Sequence, residues 1–223
     1  MSELKIEVLQ NEINQFDLAF KLIVIGDSGV GKSCLSIKAT KDYFDYLYSP
    51  TVGFEFLSFH MKINEQVIKL QIWDTCGQEN YRALINSFYR NSSLAILVYS
   101  IDNRHSFENL ETWLNDIKIQ SNPDIKIILI GNKADLEDNR EITKEEGEMF
   151  ATEHKLGCFM ETSAKTGLNA KELFIKAGKI LYEEHLKKKD NKVSPALSLP
   201  YIPDAADQTT EYSERSRPKG CAC

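Results

Sequence analysis

One short loop combines glycines, a lysine and a serine: residues 26–33 read GDSGVGKS. The glycines let backbone N–H groups turn inward around phosphate oxygens, and the helix that follows adds the positive end of its dipole. Lys32 is then placed to neutralise β- and γ-phosphates, and the Ser33 hydroxyl to bind Mg²⁺. A glycine turn that binds nothing is the alternative, but the full pattern between a strand and a helix argues against it. We expect contacts to the phosphates from Ser28, Gly29, Val30, Gly31, Lys32, Ser33 and Cys34.

A second stretch specifies the base of the nucleotide: residues 131–135 read GNKAD. The Asp135 carboxylate can accept hydrogen bonds from N1–H and the 2-amino group of guanine, whereas adenine would leave it unsatisfied. Discrimination of this kind is about 10⁴-fold or more. We expect Asn132 to bind the base and tie neighbouring loops together, and the Lys133 stem to lie over the ring. After the next strand, residues 161–165 read ETSAK and can offer a backbone N–H to the guanine oxygen, with contacts from Ser163, Ala164 and Lys165.

A third group of residues has the chemistry of a γ-phosphate sensor. Asp74 ends a strand and is positioned to reach Mg²⁺ through water, and Gly77 can bring its N–H close to the γ-phosphate because it has no Cβ. Gln78 can orient the attacking water, although its neutral amide is too weak a base to remove a proton. Thr51 is the expected second hydroxyl ligand of Mg²⁺ when a γ-phosphate is present. Two loops held by one phosphate form a switch, because hydrolysis releases both.

Alternating strands and helices must position these loops. The apolar runs at 19–26, 94–101 and 125–132 fit strands buried on both faces, and helical patterns separate them. Two further strand-like runs, joined by Asn64 and Glu65, indicate a hairpin. The sequence therefore predicts an α/β fold: a doubly wound, mostly parallel six-stranded sheet with one antiparallel edge hairpin strand and helices on both faces.

Composition divides the chain into three predicted parts. Residues 18–187 form the folded domain, and residues 188–223 form a flexible tail rich in Pro, Ser and Asp. Residues 1–17 are expected to be a flexible N-terminal extension, with a short helix as the alternative. Within the domain, one helix is expected near residues 106–120, capped by Ser106 or His105.

Charge and hydropathy exclude several classes of protein. The net charge of −6 argues against non-specific nucleic-acid binding, which needs a basic surface. We expect no signal peptide, because the N-terminus lacks a basic region followed by an apolar run. No apolar run reaches the length of a membrane span. Five cysteines, an odd number, do not suggest a disulfide framework, and none has zinc-site spacing.

The chain resembles the Ras superfamily of small GTPases and, within it, the Rab family. The resemblance rests on GDSGVGKS, Thr51, WDTCGQE, GNKAD and ETSAK. It implies the P-loop NTPase fold and a GTP/GDP switch that uses Mg²⁺ and slowly hydrolyses GTP to regulate vesicle-mediated membrane traffic. It also implies that Phe44 packs against the guanine, and that residues 51–57 and 79–89 form a nucleotide-sensitive surface for partners.

The Rab resemblance implies specific partners and a location. The partners are an exchange factor, a GTPase-activating protein, effectors, a prenylation escort and a GDP-dissociation inhibitor, each acting on a monomer. Cys221 and Cys223, at the end of the tail, match the doubly prenylated cysteines of Rabs. Two lipids give stable membrane anchoring where one is marginal. The stretches KEEGEMFATEH and FMETSAKTG look most like Rabs of the early secretory route. We therefore expect the cytoplasmic face of Golgi or ER–Golgi membranes first, endosomes second, with a cytosolic pool.

Several residues depart from the usual Rab pattern. Cys76 stands where Rabs usually have alanine, and Ser100 replaces a usual aspartate. The thiol is either a small apolar substitute for alanine or a slightly larger group that slows loop closure, hydrolysis or exchange. The alternative function is a GTP-binding module that recruits effectors with negligible turnover. A P-loop kinase of small metabolites does not fit, because no lid for an acceptor is evident and the guanine loop is complete.

Overall fold

The computed structural model describes residues 4–9, 13–45, 51, 53–76 and 88–190. Four predicted functional residues therefore lie outside the described part of the chain: Gly77, Gln78, Cys221 and Cys223. The same holds for most of the predicted partner segment 79–89 and for the tail from residue 191 onward. Among the described helices, none has both the length and the apolar composition needed to cross a bilayer.

One sheet organises the described residues, and its strands follow the order β1-β3-β4-β2-β5-β6-β7. Strands β2, β4, β5, β6 and β7 run parallel, whereas β3 is antiparallel to both β4 and β1. The carboxyl ends of the five parallel strands therefore meet at one edge, where α/β sheets bind ligands. The strands are β1 Ile6–Leu9, β2 Leu18–Ile25, β3 Phe54–Ile63, β4 Gln66–Thr75, β5 Leu94–Ser100, β6 Lys126–Asn132 and β7 Cys158–Glu161.

Helices cover both faces of the sheet, as predicted. Side chains of β2 alternate between two cores: Leu22 and Val24 join one, and Ile23 and Ile25 join the other. The first core includes residues of α1 and α5, and the second includes residues of α3. The helices are α1 Lys32–Lys41, α2 Arg104–Glu108, α3 Leu110–Gln120, α4 Lys144–Glu153 and α5 Ala170–Asp190.

The strand β1 corrects two predictions. We expected six strands and a flexible N-terminal extension, but Ile6–Leu9 pairs with β3 as a seventh strand. The Lys5 carbonyl also accepts from the Asn64 N–H at 2.8 Å. The physical reason is the edge of the hairpin: β3 would otherwise present unpaired backbone groups, and a short extended segment satisfies them. Four residues are too few to show strand periodicity in the sequence.

The predicted cap of the helix near residue 106 was wrong. Asn103 caps α2, because its side-chain oxygen accepts from the Ser106 N–H at 3.1 Å. The expected single helix is divided into α2 and α3 at Asn109. Ser106 instead lies inside the first turn, where its hydroxyl donates to the Asn103 carbonyl oxygen at 2.7 Å. Asn and Ser have similar cap preferences, so the sequence alone does not choose between them.

Candidate functional site

The phosphate-binding loop predicted from GDSGVGKS connects β2 to α1 at the carboxyl edge of the sheet. Two of its glycines are required by close approach. At Gly26, where φ is +139°, a Cβ atom would lie 2.1 Å from the Val98 carbonyl oxygen. At Gly31, where φ is +91°, a Cβ atom would lie 2.5 Å from Asn132 Nδ2. The loop is therefore packed against β5 and β6, and its conformation needs residues without side chains.

Lys32 directs its ammonium group into this loop. Its Nζ donates to the carbonyl oxygens of Gly26 at 2.9 Å and Asp27 at 2.7 Å. Burial lowers the pKa of Lys32 to about 8, an effect that the nearby Asp74 and Asp27 carboxylates oppose. The residue is only 5% exposed. A buried, oriented cation at the mouth of a glycine loop is suited to bind phosphate oxygens.

Three oxygen-bearing side chains from separate elements converge beside Lys32. Ser33 Oγ donates to Asp74 Oδ2, in a short contact. Because the Ser33 proton is used there, the Thr51 hydroxyl donates to Ser33 Oγ, at 2.6 Å. All three predicted Mg²⁺ residues therefore lie together, although they come from α1, the loop before β3 and the end of β4.

The donor set at this point fits Mg²⁺. Asp74 is completely buried, and burial raises its pKa to about 6, opposed by the Ser33 hydrogen bond and the Lys32 charge. Its second oxygen, Oδ1, has no hydrogen-bond partner among the described residues. A buried carboxylate oxygen without a partner is costly unless a cation satisfies it. One carboxylate and two hydroxyls are hard oxygen ligands, and phosphates and water normally complete such a Mg²⁺ site.

Asn132 connects the phosphate loop to the second predicted subsite. Its Nδ2 donates to the Val30 carbonyl oxygen at 2.8 Å, and its Oδ1 accepts from Thr162 Oγ1 at 3.0 Å. The Asn132 side chain is thus occupied in tying three loops together. This arrangement agrees with the tying role predicted for it.

Asp135 lies with the residues of the ETSAK stretch, as the guanine prediction requires. Its Oδ1 accepts from the Ser163 hydroxyl at 2.5 Å, and Lys165 Nζ lies 3.9 Å from its Oδ2. Ser163 and Ala164 are buried. The Ala134 N–H donates to the Thr162 carbonyl oxygen at 2.9 Å, so the two loops are also joined through the backbone.

The comparison with protein families decides the identity of this arrangement. A model of the Ras family matches residues 21–183. The chain belongs to the Ras family. Members of this family are small GTPases, so the chain is a GTP-binding switch of the P-loop type.

The remaining predicted residues of this Ras-family site occupy different environments. Ser28 and Gly29 are exposed at the tip of the phosphate loop, whereas the Val30 side chain is buried in the core, which leaves its backbone for the ligand. Cys34 is half-buried, and burial raises the pKa of its thiol. Phe44 is half-buried against the first core. Its predicted contact with the base stays a prediction, as do the roles of Gly77 and Gln78.

Two residues that contact the predicted guanine loops, Asp102 and Arg140, were not predicted from the sequence motifs. Asp102 accepts a short hydrogen bond from the Ser100 hydroxyl and lies 3.5 Å from Lys133 Nζ. The carboxylate missing at position 100 is therefore supplied two residues later. Arg140 makes paired hydrogen bonds to Glu161, at 2.6 and 3.1 Å, and thereby holds the ETSAK stretch. These partners are far apart in sequence, and only the presence of Asp102 beside Ser100 gave a local signal.

The guanine subsite generates a test of base specificity. In Asp135→Asn, one of the two guanine donors loses its acceptor and meets an amide N–H instead. We expect GDP affinity to fall by at least about 100-fold. Affinity for xanthosine diphosphate should rise, because its base has a carbonyl in place of the 2-amino group of guanine. Fluorescent-nucleotide displacement measures both. Asp138→Asn, in the neighbouring 3₁₀ turn Glu137–Asn139, is the matched control. An unchanged ratio of the two affinities would contradict the assignment of Asp135.

Proposed function

We propose that this Ras-family protein is a Rab-type switch of intracellular membrane traffic. In this proposal the GTP form recruits effectors, an activating protein ends the signal by accelerating hydrolysis, and an exchange factor restores GTP. The folded domain would extend from β1 to the end of α5 at Asp190, with the tail that follows carrying lipids. The observation that carries the proposal is an exposed aromatic surface attached to both loops that meet at the candidate Mg²⁺ site.

This surface, here called the aromatic patch, consists of Phe54, Phe56, Trp73 and Phe88. Phe54 is 49% exposed and Phe56 is 45% exposed. The Phe54 ring lies 5.4 Å from the Trp73 ring and 4.7 Å from the Phe88 ring, and Phe56 meets Trp73 edge-on at 5.4 Å. Exposed apolar clusters on soluble proteins mark interaction sites. Three of the four residues fall in the predicted partner segments, and Trp73 extends that surface into β4.

The aromatic patch is connected to the candidate nucleotide site through short stretches of backbone. Trp73 directly precedes Asp74, and Phe54 lies three residues after Thr51. The Cys76 N–H donates to the Gly53 carbonyl oxygen at 3.0 Å, which joins the two loops through their backbones. A change in the position of Thr51 or Asp74 is therefore transmitted over a few residues to the surface. This is the arrangement that a nucleotide-dependent partner surface needs.

Catalysis in this proposal depends on positioning. Lys32 binds the phosphates and Gln78 orients the attacking water, while Mg²⁺, when bound, neutralises charge on the phosphate oxygens. No arginine of the described residues takes part in the contacts of Lys32, Ser33, Thr51 or Asp74. We therefore expect slow intrinsic hydrolysis, with an arginine supplied by the activating protein.

Cys76 is buried beside the candidate site. Burial of a small side chain agrees with the interpretation that it substitutes for alanine. The competing interpretation, a slower switch, concerns rates and leaves the proposed function unchanged.

Single-turnover hydrolysis tests the proposed cycle. With GTP bound, phosphate release by the wild type should be slow and should accelerate about 10³- to 10⁵-fold with a Rab-type activating protein. Gln78→Leu should abolish most of this acceleration, because it removes the group that orients the water. Gln120→Leu, at the end of α3, is the matched control and should behave like the wild type.

Two outcomes of this assay contradict the proposal. Absence of phosphate release in both conditions would favour the binding module with negligible turnover. Acceleration by activating proteins of another Ras subfamily, but not by Rab-type ones, would contradict the Rab assignment while leaving the GTPase activity intact.

Membrane attachment is proposed to depend on Cys221 and Cys223. In cells, the tagged full chain should fractionate with Golgi or ER–Golgi membranes, and Cys221→Ser/Cys223→Ser should move it to the cytosol, because two lipids are needed for stable anchoring. Cys158→Ser, in β7, is the matched control. A double variant that remains on membranes would contradict the lipid proposal. Stable localisation of the intact chain to endosomes would contradict the proposed Golgi or ER–Golgi location.

A further inference from the structure

A carboxylate inside the phosphate loop attaches that loop to α3. Asp27 follows Gly26 and is not among the residues predicted to contact the ligand. Its Oδ1 accepts from Trp113 Nε1 at 2.8 Å, and its Oδ2 accepts from Asn109 Nδ2 at 2.7 Å. Both oxygens of one carboxylate are therefore bound by side chains at the start of a single helix.

The donors on α3 are rigidly held. Asn109 and Trp113 are four residues apart, so they share one face of the helix. The backbone N–H of Trp113 also donates to the Asn109 carbonyl oxygen at 3.2 Å. The Trp113 side chain is only 2% exposed and belongs to the second core, together with Ile23 and Leu97. The indole N–H that Asp27 uses is therefore fixed by the packing of the sheet.

The same residue is linked to the phosphate-binding lysine through its backbone. The Asp27 carbonyl oxygen accepts from Lys32 Nζ at 2.7 Å. The next two residues, Ser28 and Gly29, are exposed at the loop tip. Asp27 thus lies between the buried Trp113 side chain of α3 on one side and the exposed tip of the loop on the other.

We propose that Asp27 is a positioning residue for nucleotide phosphates, which acts by fixing the loop against Trp113 and Asn109. A loop that is ordered before binding loses less conformational entropy when it closes around a phosphate. Without the Asp27 carboxylate, the loop and the Lys32 ammonium sample other positions, and nucleotide leaves faster. The inference rests on guanine-nucleotide binding by the Ras family and is independent of the trafficking role.

Nucleotide release from four variants tests the proposal. In Asp27→Ala, GDP dissociation should accelerate about tenfold, the equivalent of about 1.4 kcal/mol. Asp27→Asn, which keeps one acceptor oxygen and the shape, should show a smaller acceleration, as should Trp113→Phe. Asp27→Ala/Trp113→Phe should release GDP no faster than Asp27→Ala, because both remove the same contact. Ser121→Ala removes a hydrogen bond to the Ile117 carbonyl at the other end of α3 and is the control.

A second readout separates positioning from general loosening of the fold. GMP lacks the β-phosphate, so its affinity should change much less than that of GDP in Asp27→Ala and Asp27→Asn. Equal weakening of GMP and GDP, unchanged GDP release in Asp27→Asn and Trp113→Phe, or strictly additive effects in the double variant would each overturn the proposal. If Asp27→Ala does not fold, the isosteric Asp27→Asn decides. Failure of the wild type to bind GDP would instead contradict the GTPase assignment.

Discussion

The buried Asp74 carboxylate is the constraint on which the rest of the site depends. A carboxylate with no exposure is expensive, and its raised pKa reports that cost. The fold supplies partial compensation, through the Ser33 hydroxyl and the charge of Lys32. One oxygen is left without a described partner. The site is therefore suited to a cation bound together with phosphate.

The sheet and the loops follow from the need to bring these groups together. Ser33 is fixed at the start of α1 by the glycine loop, Asp74 at the end of β4, and Thr51 arrives on the segment before β3. Among the described residues, Thr51 contacts the other two through a hydrogen bond to Ser33, and it lies on a loop, whereas Ser33 and Asp74 lie on α1 and β4. The chain after Thr51 continues directly into the exposed aromatic patch. The residues that suit a cation and the aromatic patch are thus connected through one short segment.

Sequence reasoning was most successful where function needs a contiguous motif. The residues of the phosphate loop, the predicted guanine loop and the predicted Mg²⁺ site lie at the strand and helix ends where the sequence placed them, because each motif uses residue types that few other roles require. Their roles as ligands stay predictions. Contacts between distant residues were not predictable in the same way. Asp27 meets its partners 82 and 86 residues away, and nothing local distinguishes it from a solvated aspartate. The strand Ile6–Leu9 was not predicted for a related reason, since its formation depends on pairing with the edge of β3.

The central claim is that Ser33, Thr51 and Asp74 form a Mg²⁺ site whose Thr51 member responds to the γ-phosphate. The most direct measurement is the dissociation rate of GDP and of a non-hydrolysable GTP analogue, with Mg²⁺ and with excess chelator, for the wild type and Thr51→Ala. Thr40→Ala, whose hydroxyl donates to the Ser36 carbonyl in α1, is the control. We predict that chelation accelerates release of both nucleotides from the wild type, and that Thr51→Ala accelerates release of the triphosphate analogue alone. Equal effects of Thr51→Ala on both nucleotides, or release that does not respond to chelation, would contradict the account.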